Sequence, residues 1–201
     1  MTSSSFAPVP TVLQGRYVRL EPLELAHAPG LFEAGRHPEI WTHMTQPMIG
    51  SLADAEQFVE TALRERDGGR QVPFATIDES SGKVVGSTRY LDIQHAHRGL
   101  EIGFTWLTPS AQRTPINTEA KLLLLCHAFD QLGAIRVQLK TDSENERSQR
   151  AIERIGGIRE GTLRSHMILY SGRIRDTAYF SVVLDEWPAV KENLERMLSR
   201  G

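Results

Sequence analysis

Cysteine is nearly absent from this 201-residue chain. Cys126 stands alone, so no internal disulfide can close and no cysteine-built metal site can form. Long apolar runs are missing too. The longest, Leu122 to Cys126, falls far below the roughly 18 residues that a membrane span needs. Neither sign of charge is in excess: 23 Lys and Arg face 25 Asp and Glu. That balance gives no general electrostatic reason to expect nucleic acid or an anionic membrane as partner. Glycine (16) and proline (10) stand at ordinary levels, which excludes a collagen-like or linker-dominated chain. The G-x-G-x-x-G, Walker and G-x-S-x-G signatures are absent, so dinucleotide, phosphate-loop and serine-hydrolase readings lose their support. His95 and His97 share a turn, an arrangement that rarely binds metal, and none is expected. Residues 1–11 lack the basic region and apolar stretch of a secretory signal. A flexible lead-in and cytoplasmic residence are the expectations there.

Hydrophobic residues at 40% and charged residues at 24% suit a soluble globular protein, and the length suits one domain over residues 12–201. Arg16 to Leu20 reads as a strand, followed by a helix from near Pro29 to Gly35. His37 to Gly50, with Trp41, Met44 and Met48, reads as a loop that lines a pocket or covers the core. Ser51 and Asp54 form a capping-box pattern, and Leu52, Ala55, Phe58, Val59 and Leu63 follow at helical spacing until Gly68. Pro73 to Asp78 and Lys83 to Leu91 predict an antiparallel hairpin. Leu100 to Leu107 predicts a strand with Leu100, Ile102, Phe104 and Trp106 on one face and Glu101 on the less apolar other. Thr108 to Asn117 reads as a loop leading to a helix, apolar almost all round, that runs to about Leu132, where Gly133 stops it. Ile135 to Lys140 alternates as a strand, and Asn145 to Ile155 reads as a short helix. Ile158 to Leu163, Met167 to Tyr170 and Thr177 to Leu184 are extended, and Val190, Leu194 and Leu198 stripe a final helix. The order predicts an α/β (α+β) fold with a mixed, mostly antiparallel central sheet flanked by helices.

Three segments carry a resemblance: Gln112 to Ala120, Asn145 to Gly156, and Gly172 to Asp176 with Glu186-Trp187-Pro188. Over roughly Gly15 to Trp187 the chain resembles the GNAT superfamily of acetyl-CoA-dependent N-acetyltransferases, closest to the RimJ/RimL-like branch that acetylates N-terminal amines of ribosomal proteins. The resemblance implies the GNAT fold and an acetyl-CoA cosubstrate with no metal. It implies transfer of acetyl to a primary amine by direct attack in a ternary complex, with a protein N-terminus or a small molecule as acceptor. No specific nucleic-acid partner or membrane is implied, and the protein would be a monomer or homodimer. An acyl-CoA-binding regulatory or interaction protein on the same fold is the alternative.

The family's Q/R-x-x-G-x-G/A phosphate loop corresponds to Gln112-Arg113-Thr114-Pro115-Ile116-Asn117, with both glycines replaced, by Pro115 and Asn117. Pro115 donates no N–H, so Arg113 and the helix N-terminus through Thr118 would compensate. Phe104, Thr105 and Trp106 would border the acyl group and supply a backbone oxyanion donor. Asn145 would hydrogen-bond the pantetheine arm, or simply cap its helix. Ile152 stands where the family often has a leaving-group tyrosine; Ser148 would take that proton-donating role, or be an ordinary helix-start residue. Glu101 would accept the amine proton, or anchor the substrate. Trp41, Met44 and Glu101 would line the acceptor pocket.

Overall fold

A computed structural model describes residues 6–199. Its eight strands are β1 (Leu13–Gln14), β2 (Val18–Pro22), β3 (Val72–Asp78), β4 (Lys83–Gln94), β5 (Gly99–Leu107), β6 (Arg136–Asp142), β7 (Ile158–Ile168) and β8 (Ile174–Val183). They form one sheet in the order β1-β2-β3-β4-β5-β6-β8-β7. Every pairing is antiparallel except β5 with β6. The helices are α1 (Ala28–Gly35), α2 (Leu52–Asp67), α3 (Pro115–Cys126), α4 (Glu146–Arg154) and α5 (Trp187–Ser199). The mixed, mostly antiparallel sheet predicted from the sequence is the one observed.

Local chemistry accounts for the helix limits. Ser51 Oγ accepts the Asp54 N–H at the start of α2, as the capping pattern predicts. Pro115 occupies the first turn of α3, where its missing N–H would have had no partner in the helix anyway. α3 continues into a π-helical turn, His127–Gln131, before Gly133 at φ +72° ends the run. The side chains bury against both faces of the sheet. One core cluster gathers Leu20, Phe74, Tyr90, Leu124, Phe180 and Leu194. The other joins Leu31, Val59, Trp41 and Trp106.

Three expectations need correction. Phe6, placed by the sequence in a flexible lead-in, is buried in the first cluster, and His95 Nδ1 lies 2.7 Å from its carbonyl. Residues 1–5 of that lead-in lie outside the described residues. Ile158 to Leu163 and Met167 to Tyr170 are not separate pieces, because β7 joins the first to Met167 and Ile168 with a register irregularity between Leu163 and Met167, while Leu169 and Tyr170 lie beyond its end. The face assignment along β5 also breaks. Leu100 and Ile102 enter the first cluster, but Trp106 enters the second. Phe104 has φ +49°, and the β4 register jumps from Arg89↔Gly103 to Ser87↔Trp106. Two residues therefore oppose Thr88 alone, and such a bulge reverses which face each following side chain takes.

Candidate active site

β5 and β6 run side by side over one short stretch, Gly99↔Arg136, Leu100↔Val137 and Glu101↔Gln138, and pair no further. Beyond that point the facing edges of the two strands lack each other as partners, although β4 and β8 still hold their outer edges. A strand edge with unused N–H and C=O groups accepts an extended, amide-bearing ligand. The Phe104 bulge lies on the β5 edge of this divergence. Thr105 Oγ1, next along the strand, is 2.8 Å from Thr88 Oγ1 and accepts a hydrogen bond from Lys121 Nζ at 2.8 Å. The Trp106 side chain is turned into the core between Trp41 and Phe58, so only its backbone can serve the cleft.

The segment leading into α3 shows where the backbone turns. Arg113, not Pro115 or Asn117, is its left-handed residue, at φ +61°. Pro115 and Asn117 are both inside α3, which removes any conformational need for glycine at either position. Thr114 caps the helix, its Oγ1 accepting the Ile116 N–H and donating to the Ala111 carbonyl. The Ile116 side chain is 7% exposed and belongs to the core, which leaves its backbone to the cleft. Gln112 Nε2 donates to the Leu107 carbonyl, while its Oε1 accepts from Arg147 of α4. Arg154, also on α4, donates to Thr118 Oγ1. Arg113, Arg147 and Arg154 thus gather about one helix N-terminus, a setting that favours a phosphate.

Asn145 caps α4, its Oδ1 accepting the Ser148 N–H at 3.0 Å. The capping reading is therefore realised, and the Asn145 Nδ2 donor is left for a ligand. Ser148 is half-buried, and Ile152 is buried in the core. Asn145 shares a surface hollow with Glu39, Thr42, His43 and Glu144 to Arg147.

Glu101 faces away from Leu100 and Ile102, as its place in the strand predicts, yet it is 1% exposed. Its Oε2 receives Lys140 Nζ at 2.9 Å and Gln138 Nε2 at 3.1 Å. Its Oε1 lies against Gly103, where an added Cβ would sit 2.6 Å away. Burial raises the Glu101 carboxyl above its usual range, with Lys140 and Gln138 opposing the rise. On the neighbouring strand Arg89 is buried between the rings of Phe58 and Phe104, 4.8 and 4.7 Å from their centroids. Burial lowers its guanidinium to about 10.

The pocket reading of Trp41 does not hold. Its ring is 5.3 Å from that of Trp106, its N–H is spent on the Gly35 carbonyl, and it is 7% exposed. Such a large apolar ring gains more from core burial than from lining a wet cleft. Met44 is half-buried, and its carbonyl receives the Tyr170 N–H. It joins the His37 to Gly50 loop to the β7–β8 hairpin.

The comparisons with known proteins meet this geometry directly. The family model described as acetyltransferase (GNAT) domain matches residues 18–158. The chain belongs to the GNAT acetyltransferase family. A GCN5-related N-acetyltransferase from Brucella melitensis shares 37% identity and a TM-score of 0.89, over 94% of this chain and 86% of that one. Bacillus subtilis YdaF, provisionally named a ribosomal N-acetyltransferase, is 30% identical over 110 residues, 55% of this chain and 59% of its own. Mycobacterium smegmatis RimJ, solved with CoA-disulfide, shares the fold at 23% identity and TM-score 0.77, covering 94% and 92% of the two chains. The family and fold that the sequence resembles are thus the ones found, and a protein provisionally named a ribosomal N-acetyltransferase stands among the similar proteins.

Several polar groups of this acetyltransferase left no legible pattern in the sequence. Asp142 is wholly buried and gathers His43 Nδ1 at 2.9 Å, the Glu144 N–H and the Arg173 guanidinium. Glu119 accepts the N–H groups of Arg16, Tyr17 and Val18. Lys121 is 6% exposed. A charged residue amid a helix of leucines is a signal of sorts, but its partner lies on another element. Among the described residues no group of His, Cys, Asp and Glu could hold a metal ion, and no helix is long and apolar enough to cross a membrane.

Proposed function

We propose that this protein transfers acetyl from acetyl-CoA to a primary amine, and that the acceptor is the N-terminal α-amine of a protein. The observation that carries the reading is the divergence of β5 from β6 beside the N-terminus of α3. Acetyl-CoA supplies the acetyl group already activated as a thioester. The unpaired edges of β5 and β6 bind the amide-bearing arm, and Asn145 Nδ2 adds one side-chain donor. The α3 N-terminus, with Arg113, Thr114, Asn117 and Thr118, binds the phosphates. Arg147 and Arg154 strengthen the positive field there. Backbone N–H groups past the Phe104 bulge polarise the acyl oxygen, and need no reorganisation as charge develops.

Glu101 takes the amine proton. Its Oε2 is held by Lys140 and Gln138, which leaves Oε1 for a water or the amine itself. Burial raises its proton affinity toward what a base working near neutrality needs. Ser148 stands beside the departing thiolate in place of the tyrosine that Ile152 replaces. The resemblance to the ribosomal-protein branch and the provisional name of YdaF support a protein N-terminus as acceptor. A lone cysteine fits a reducing, cytoplasmic setting.

Calorimetry with CoA, followed by thiol release from acetyl-CoA with an amine panel, tests the reading. The panel holds peptides with N-terminal Ala or Ser, polyamines and aminoglycoside-like amines. Saturable CoA binding and release with the peptides are expected. No heat at millimolar CoA would remove the cosubstrate reading, and turnover confined to the small amines would remove the protein acceptor.

A further inference from the structure

Lys121 sits on the sheet-facing side of α3, 6% exposed, with no carboxylate in salt-bridge reach among the described residues. Burying an ammonium without a counter-ion is expensive, so such a residue needs a reason to be there. Its hydrogen-bond partner is Thr105 Oγ1 at 2.8 Å, and Thr105 Oγ1 lies 2.8 Å from Thr88 Oγ1. These three residues belong to α3, β5 and β4, and they meet where Phe104 and Thr105 bulge opposite Thr88. Burial pushes the Lys121 amine down to about 7, so much of it is neutral under ordinary conditions. In either protonation state it can donate to Thr105, which frees the Thr105 hydroxyl proton for Thr88.

We propose that Lys121 is a positioning residue that pins the Phe104–Thr105 bulge through the Thr105–Thr88 hydroxyl pair, and so fixes the backbone N–H groups aimed at the acyl oxygen. The catalytic half of this inference rests on the acetyl-transfer reading above; the pinning itself does not. A bulge leaves its extra residue out of the ladder, so its amide direction is free unless something outside the strand sets it. No ladder with β6 performs that task, because the β5–β6 pairing stops at Glu101. The Lys121 chain reaches the bulge from the helix side and supplies the missing constraint.

Lys121→Met is the informative variant, since Met fills nearly the same space and removes the buried amine. Three results are expected together. The melting temperature holds or rises, because a buried amine without a counter-ion has left the interior. The kcat falls about 10- to 100-fold, less than the roughly 100- to 1000-fold that follows outright loss of an oxyanion donor, while CoA affinity changes little. In the protein without CoA, amide hydrogen exchange quickens at residues 104–106 and is unchanged at residues 137–139. Thr88→Val should reproduce the loss and Thr88→Ser should not, which guards against a misfolded Lys121 variant. Wild-type kcat in Lys121→Met, or a loss expressed wholly as weaker CoA binding, would overturn the catalytic role. Unchanged exchange at the bulge would overturn the pinning. Should the wild-type protein bind no CoA at all, the acetyl-transfer reading falls, and the exchange comparison still decides whether Lys121 holds the bulge.

Discussion

The carboxylate of Asp142, wholly buried at the end of β6, accepts a hydrogen bond from His43 Nδ1 at 2.9 Å, across 99 residues of chain. Arg173 of the β7–β8 hairpin reaches the same oxygen. One buried anion therefore fastens the loop before α2 and the hairpin after β7 to the strand that borders the cleft.

That anchoring should show in acid. Burial alone would raise the Asp142 carboxyl, but His43, the Glu144 N–H and Arg173 prevail and hold it below its usual value of 3.8. A depressed carboxyl contributes stability that is complete above the unfolded value and fades as pH falls through the folded one. Asp142→Asn should therefore cost about 1–3 kcal/mol near pH 7, at the low side for a broken buried pair because Arg173 is partly exposed. The gap from wild type should narrow below about pH 4. Urea unfolding of both proteins from pH 7 to pH 3 checks this. A gap independent of pH would mean that shape, not charge, matters at Asp142.

Glu119 makes a second long connection, with Oε2 2.6 Å from the Tyr17 N–H nitrogen and 2.8 Å from that of Val18. Oε1 lies 2.9 Å from the Arg16 nitrogen. Glu119→Gln replaces one acceptor oxygen with an NH2 group aimed at backbone donors. A loss of about 1–3 kcal/mol is expected in chemical unfolding, with the CoA dissociation constant unchanged. Altered CoA binding at intact stability would instead place Glu119 in the cosubstrate site.

The phosphate reading of Arg113 is best tested with glycine, because its φ of +61° would strain alanine as well. Arg113→Gly keeps the turn and deletes the charge. The loss of a charge-assisted contact worth roughly 1.5–3 kcal/mol should raise the CoA dissociation constant at least tenfold, and the dependence of binding on salt should weaken. An unchanged constant by calorimetry would put Arg113 outside the phosphate site.

Glu101→Gln separates base from anchor. With Glu101 as base, kcat/KM for the amine rises with pH through an apparent value above the usual carboxylate 4.5, the direction in which burial shifts it. The glutamine variant should lose that limb and drop about 100-fold or more at neutral pH. A raised amine KM with kcat and its pH limb intact would leave Glu101 as an anchor for the ammonium.

Much of the fold was legible because it is local. Ser51 before α2, Asn145 before α4 and Gly133 after the α3 run act within a turn of where they stand, so their spacing alone announced them. Period-two alternation found the strands, and the apolar run of α3 marked a buried helix. The window from Gln112 to Asn117 was legible as a loop only in its first half: Pro115 to Asn117 already belong to α3, and the left-handed residue proved to be Arg113 rather than a replaced glycine position.

The sequence by itself determined most of the element order, the limits of α2 and α4 and the family, since each rests on residues a few positions apart. It missed β1 and began α3 three residues late. Tertiary structure alone decided the site's working geometry. The bulge at Phe104 overrode the alternation that put Trp106 beside Ile102, and a single extra residue leaves no compositional trace. Core packing took Trp41 from the pocket, and pairings such as Lys121 with Thr105, Lys140 with Glu101 and His43 with Asp142 join separate elements. Buried polar groups must find partners wherever the fold brings them, so these pairings follow the sheet order and not the spacing of residues along the chain.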